Sequence, residues 1–169
     1  TVYSFSTENW SRPAEEVDFL MKLKETVLGF RADELNEQDI RLIFAGRRGA
    51  PVPDELAVKM DEAMDLTKNN KRLTLTVAFN YGGRAEIVDA LRGIISSGIP
   101  ATEVDESTIQ SHLYVEGMPD VDLMIRTSNE FRVSNFLLWQ VAYSEFYFTD
   151  TLWPDFNHEI FYEAVRAFQ

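Results

Sequence analysis

Between Leu73 and Phe79 the chain alternates strictly, with Leu73, Leu75, Val77 and Phe79 on one side and Thr74, Thr76 and Ala78 on the other. A period of two describes a strand with one strongly apolar face. Asn80-Tyr81-Gly82-Gly83-Arg84 ends it, the glycines permitting a tight turn. A helical period then takes over, with Ile87, Val88, Leu91, Ile94 and Ile95 as the core face. The same hand-over recurs along the chain. Val2, Tyr3 and Phe5 read as a strand, Ser6 to Arg12 as a polar loop, and Pro13 as the first position of a helix running from Ala14 to about Arg31. That helix places Val17, Leu20, Met21, Val27 and Leu28 on one face, broadened by Phe19, Leu23 and Phe30. Ile40 to Ala45 is a strand, and Pro53 and Asp54 start a helix to about Lys68 with Leu56, Met60, Ala63 and Met64 inward. Ser107 to Leu113 is a short helix, Leu123 to Ile125 and Phe146 to Phe148 are strands, and Ile160, Phe161, Ala164, Val165 and Phe168 mark a terminal helix. Strands joined by helical crossovers require an α/β fold, a mainly parallel central sheet with helices on both faces. Functional residues then belong at the carboxyl ends of the strands.

With 169 residues, 45% of them hydrophobic, the chain is expected to form a single domain around a real core. Its net charge of −12 argues against a nucleic-acid surface and against electrostatic adhesion to anionic lipid. An anionic ligand would have to be captured by a local cationic pocket. No apolar run approaches the roughly 18–20 residues of a membrane-spanning helix, and the start shows no signal-peptide pattern. Cysteine is absent, which excludes disulfides and thiolate chemistry. The two histidines, His112 and His158, lie too far apart in sequence for the usual ligand spacing of a metal site. A strand sequence at the very first residues suggests that the domain begins before Thr1.

The cationic pocket is offered by the stretch from Asp122 to Glu145. A short strand ends on Arg126; the small and polar residues Thr127, Ser128 and Asn129 follow; Arg132 and Ser134 come next; and Phe136, Leu137, Leu138 and Trp139 read as the start of a helix. Two guanidinium forks, a hydroxyl and unpaired helix N–H groups converging at the end of a strand make an anion site suited to phosphate. A pair of surface ion-pairing arginines fits the residue types equally well. Neither GxxxxGK[ST] nor GxGxxG occurs. Gly46-Arg47-Arg48-Gly49 matches no phosphate-binding pattern and reads as a solvated loop.

Three blocks carry a family resemblance: Phe5-Ser6-Thr7-Glu8-Asn9-Trp10-Ser11-Arg12-Pro13; Asn80-Tyr81-Gly82-Gly83-Arg84; and Ile125-Arg126-Thr127-Ser128 with Glu130, Arg132, Ser134 to Gln140, Ala142 to Glu145 and Leu152 to Phe156. In this order they closely resemble the cis-prenyltransferases, nearest to the bacterial undecaprenyl diphosphate synthase type. The resemblance implies condensation of isopentenyl diphosphate with an allylic diphosphate such as farnesyl diphosphate, giving a long-chain Z-polyprenyl diphosphate that serves as a lipid-carrier precursor in cell-wall synthesis. It assigns Asn9 a part in catalysis, which residue chemistry limits to orientation because an amide is a poor base. It assigns Ser6, Thr7, Glu8, Trp10 and Arg12 to one substrate loop, and Arg126, Arg132, Val133 and Ser134 to the isopentenyl diphosphate. Trp10 would exclude water from the reacting carbons, core packing being the alternative. It makes Glu145 a ligand of the magnesium cofactor, where residue types alone suggest an exposed glutamate at a strand end. It also implies a homodimer, a cytoplasmic location with peripheral membrane contact for product release, and a hydrophobic tunnel walled partly by the first helix, with its floor near Leu73 or Leu75.

The sequence departs from the family pattern in several places. The family's amino-terminal aspartate loop and carboxyl-terminal basic tail have no counterpart between Thr1 and Gln169, so these residues alone are expected to be inactive. Asn129 replaces a usual glycine, and asparagine tolerates the left-handed conformation that such a position needs. Aspartate-rich DDxxD boxes, the mark of trans-prenyltransferases, are absent. Two other readings stay open at this point: a non-catalytic partner subunit of the same family, and an unrelated phosphate-binding α/β protein.

Overall fold

The computed structural model describes residues 1–169, the side chain of Phe30 excepted. The chain forms two compact units, Thr1–Val115 and Glu116–Gln169.

The first unit is built on three strands, β1 (Val2–Ser6), β2 (Ile40–Ala45) and β3 (Leu73–Tyr81), in the order β1-β3-β2. Both pairings are parallel, as the alternation of strand and helix requires, with Ser6 opposite Tyr81 and Ala45 opposite Ala78. Helices α1 (Ala14–Glu37) and α2 (Asp54–Thr67) make the crossovers. Each starts from a proline at the capping position, Pro13 and Pro53, followed by an acidic first turn that complements the helix dipole. Pro13 thus stands one position outside the helix, not inside it. The core joins Phe5, Phe79 and Leu42 of the strands to Met21 and Leu28 of α1 and to Leu56, Met60 and Ala63 of α2. Burying each of the large side chains is worth roughly 1.5–3 kcal/mol.

The outward side of β2 is covered by side chains. Thr67 Oγ accepts the Leu42 N–H at 3.0 Å while donating to the Ala63 carbonyl at 2.9 Å. Asn70 Nδ2 donates to the Ile40 carbonyl at 3.0 Å, and the Phe44 N–H meets Met64 Sδ at 3.4 Å.

Some faces differ from the periodicity. On α1, Val27 is 48% exposed and shares an outer stripe with Phe19 (64%) and Leu23 (46%), opposite Met21 and Leu28. Residues four apart fall on one face, so the helix carries two apolar faces where one was expected. On α3 (Gly83–Ser96), Ala90 and Ile94 are buried, but Val88, Leu91 and Ile95 are exposed. Their place at the start of the core face is taken by Glu86, 1% exposed, whose carboxylate accepts from the Tyr81 hydroxyl and, at 3.1 Å, from the Tyr114 N–H. A short helix, α4 (Glu106–Ser111), follows.

The second unit contains β4 (Leu123–Arg126) and β5 (Glu145–Phe148), a parallel pair, and α5 (His158–Phe168). No helix forms after Ser134. Residues 134–143 are a series of turns because Ser134, Asn135 and Leu137 have φ of 49°, 63° and 46°. Left-handed residues at such spacing cannot propagate a right-handed helix. One helical bond, from Val141 N–H to the Leu137 carbonyl at 3.0 Å, is what remains of the predicted pattern.

Candidate active site

In the first unit, β1 and β3 are parallel neighbours, so the segments after their carboxyl ends lie side by side. After Ser6 the chain winds into a tight turn, Thr7–Ser11, not an open loop. Asn9 Oδ1 accepts the Ser6 N–H at 2.9 Å, which fixes the turn and commits the side-chain oxygen of Asn9. Thr7 Oγ donates to the Glu8 carboxylate at 3.2 Å, and Ser11 Oγ to the Glu8 carbonyl at 2.8 Å. Arg12 pairs with Glu16 at 2.6 Å on the exposed start of α1.

Trp10 is half-buried, with its ring edge-on to Phe5 at 4.9 Å and its Nε1–H given to Asn80 Oδ1 at 2.8 Å. Asn80, with φ of 48°, also donates to the Arg47 carbonyl at 3.0 Å and accepts the Arg47 N–H at 3.2 Å. Asn80 therefore ties the first sequence block to the loop after β2. Gly46 permits that approach: with φ of +134° it faces the β3 backbone, and a Cβ there would lie 1.9 Å from the Phe79 carbonyl oxygen. The loop itself is anchored, not merely solvated. Arg47 makes a two-pronged bond to Asp89, 2.7 and 3.0 Å, and these bonds hold the Asp89 carboxyl below its ordinary range. Tyr114 adds its hydroxyl to Asp89 at 2.6 Å, while burial pushes its own pKa up.

In the second unit, β4 delivers Arg126 to its carboxyl end. Ser128 and Asn129 turn back in left-handed conformation, φ of 69° and 53°, so Asn129 takes the backbone shape expected of it. Their N–H groups bond the carbonyls of Thr151 and Thr149 at 2.8 and 2.9 Å, which locks the loop to the segment after β5. Within it Arg126, Arg132 and Ser134 come together around Glu130. Both guanidinium groups donate to the Glu130 carboxylate, Arg132 at 2.6 Å, and Arg132 Nε reaches Ser134 Oγ at 3.2 Å. Val133, between them, accepts the Phe136 N–H at 3.0 Å. Burial, then the neighbouring charge of Arg132, lowers the pKa of Arg126. With no helix after Ser134, the cluster is made by side chains alone, without helix N–H groups.

Glu145 is not part of this cluster. It opens β5 opposite Leu123, whereas Arg126 closes β4 opposite Phe148. Three residues of strand, roughly 10 Å, separate the two levels. Glu145 is exposed, with its N–H bonded to the Asp122 carbonyl at 2.9 Å. Among the described residues no group of three or more histidines, aspartates or glutamates encloses a metal position. A lone carboxylate fits a hard ion that takes most of its ligands from water and phosphate oxygens.

Residue types alone did not single out Glu130, Asn80 or Glu86. For Glu130 a signal existed, since it lies four residues after Arg126 and two before Arg132. Asn80 acquires its partners through tertiary contacts that no local spacing encodes, and Glu86 joins the nearby Tyr81 hydroxyl to the distant Tyr114 N–H.

Comparison with known proteins places these features in a family. The family model described as "Putative undecaprenyl diphosphate synthase" matches residues 1–169. An isoprenyl transferase of Prochlorococcus marinus subsp. pastoris is 48% identical over all of this chain, and one of Bacillus cereus 46%. The chain spans 63% and 67% of those relatives' lengths. Among solved structures, lavandulyl diphosphate synthase from Lavandula x intermedia, in complex with dimethylallyl diphosphate, superposes with a TM-score of 0.91 at 36% identity, covering 98% of this chain and 73% of that one. A probable undecaprenyl diphosphate synthase from Campylobacter jejuni gives 0.89 at 34%, covering 98% and 77%. With a match along its whole length and the three sequence blocks in place, the chain belongs to the cis-prenyltransferase family.

Proposed function

We propose that the protein containing this chain condenses isopentenyl diphosphate onto an allylic diphosphate to make a long-chain Z-polyprenyl diphosphate of the undecaprenyl type. In that reaction the allylic C1–O bond breaks and diphosphate leaves, the isopentenyl C4 bonds to C1, and a proton departs from C2 as the new double bond forms. The observation that carries the proposal is the convergence of Arg126, Arg132 and Ser134 at the end of β4. A diphosphate concentrates several charges in a small volume, and paired planar forks answer that need better than a diffuse field, above all in a chain of net charge −12. That a relative of this fold is solved with dimethylallyl diphosphate supports an allylic co-substrate.

Arg126, Arg132 and Ser134, with Val133 in the same loop, bind the isopentenyl diphosphate. Ser6, Thr7, Glu8, Trp10 and Arg12 serve the substrate loop; Asn9, whose amide oxygen already braces the turn, orients substrate without acting as a base. Magnesium, held by Glu145, would neutralise charge on the diphosphate oxygens. The outer stripe of α1, Phe19, Leu23 and Val27, suits a tunnel wall for the growing chain. A homodimer and membrane contact at product release complete the proposal, in a single cytoplasmic cis-prenyltransferase domain.

The test incubates the complete protein with farnesyl diphosphate, radiolabelled isopentenyl diphosphate and magnesium. A long labelled lipid is expected. Free phosphate without carbon–carbon bond formation would indicate a phosphohydrolase, and no product a non-catalytic subunit.

A further inference from the structure

Glu130 stands between the two arginines. One carboxylate oxygen accepts from Arg126 Nη2, and the other accepts from Arg132 Nη2 at 2.6 Å. Arg132 Nε is given to Ser134 Oγ at 3.2 Å. The groups assigned to the diphosphate are therefore already engaged by an anion that the chain itself supplies. A carboxylate bridging two guanidinium forks offers the same paired oxygens that a phosphate offers.

The contact is also more than a loose surface pair. The Arg126 and Glu130 side chains are 29% and 31% exposed, and Arg126 Nε is buried with no hydrogen-bond partner among the described residues. Glu130 thus satisfies only part of what Arg126 presents. A ligand with more acceptor oxygens than a carboxylate can satisfy more of it.

We infer that Glu130 is an internal stand-in for the diphosphate: it holds Arg126 and Arg132 together, and it must release them before a polyanion is bound. The inference rests on the reading of Arg126, Arg132 and Ser134 as a diphosphate site. Its consequence is selectivity by charge. A weakly charged anion brings little that Glu130 does not already provide, so it displaces Glu130 poorly. A diphosphate brings higher charge and more oxygens to both forks, and does displace it. Glu130 is in this sense a specificity-determining residue that lowers affinity for every anion, and most of all for weakly charged ones.

Calorimetric titration of the full chain with inorganic pyrophosphate and inorganic phosphate, at low salt, tests this on the wild type, Glu130→Gln, Glu130→Asp and Arg132→Ala. Glu130→Gln removes the competing charge at nearly constant shape. It is expected to tighten pyrophosphate roughly fivefold, the scale of one partly exposed ion pair, and to tighten phosphate by more. Arg132→Ala is expected to lose pyrophosphate binding. Tighter binding cannot come from a loosened fold, and a gain larger for phosphate than for pyrophosphate identifies competition, because mere removal of a nearby negative charge would favour the more highly charged ion. If Glu130→Gln fails to fold, Glu130→Asp, with its shorter reach, is expected to show a smaller gain in the same direction. Unchanged or weaker binding by the Glu130 variants, with binding still lost in Arg132→Ala, would overturn the inference and leave the site reading standing. Equal binding by all four proteins, or none by any, would overturn the site reading and the inference together.

Discussion

Arg132 gives its Nη2 to Glu130 and its Nε to Ser134, two directed bonds from one rigid plane. An ammonium on a flexible stem cannot hold both directions at once. On the proposed function, Arg132→Lys in the complete protein should therefore raise the Michaelis constant for isopentenyl diphosphate about tenfold, the order of one charge-assisted bond; an unchanged constant in steady-state kinetics would remove Arg132 from the site. At this scale the sequence was informative where neighbours in the chain are also neighbours in space. Arg126, Arg132 and Ser134 fall within one loop, and their meeting could be read from spacing. Trp10 and Asn80 are seventy residues apart, and the bond between them depends on β1 and β3 being paired. Glu86 shows the same limit, since a glutamate on a core face reads as a break in the pattern until the Tyr114 N–H, 28 residues on, is seen to meet it.

Among the elements, α4 depends on its cap. Asp105 accepts from Ser107 Oγ at 2.7 Å and from the Thr108 N–H and hydroxyl, each at 2.8 Å. The Ser107 bond first, then those of Thr108, hold its carboxyl down to about 2. A folded-state value below the ordinary one means that the cap stabilises α4 above the usual aspartate range and is lost as pH falls through about 2. Carbon-detected NMR titration of the Asp105 carboxyl should find its midpoint there; a midpoint near the ordinary 3.8 would mean that the cap is not held in solution. Inside the first unit, Met60 is 1% exposed within the core, so Met60→Ala should cost about 2–5 kcal/mol by denaturant unfolding. Strands and long helices were legible in the sequence because alternation and helical period act over many residues. The stretch after Ser134 was not. Its apolar run has helical composition, but three backbone angles in the left-handed region decide the outcome, and composition does not report angles.

For the molecule as a whole, the charge of −12 sets the approach of any anionic ligand. At ~10 mM salt, where the screening length is roughly 30 Å, the summed field of the chain repels a diphosphate. At ~100 mM it shrinks to roughly 10 Å, and only the charges around Arg126 and Arg132 are felt. Stopped-flow association of pyrophosphate should accordingly speed up by a few-fold over that range, the reverse of a protein that steers anions with a basic face; a rate that falls with salt would show that the local cluster dominates even at a distance. The way the sheet of the first unit is finished bears on growth of the structure. Thr67, Asn70 and Met64 occupy the Leu42 N–H, the Ile40 carbonyl and the Phe44 N–H on the outer side of β2, so that rim offers little of a ladder to zip onto. A stray ribbon of backbone therefore finds few partners along that flank, which guards this half of the fold against sticking to its neighbours.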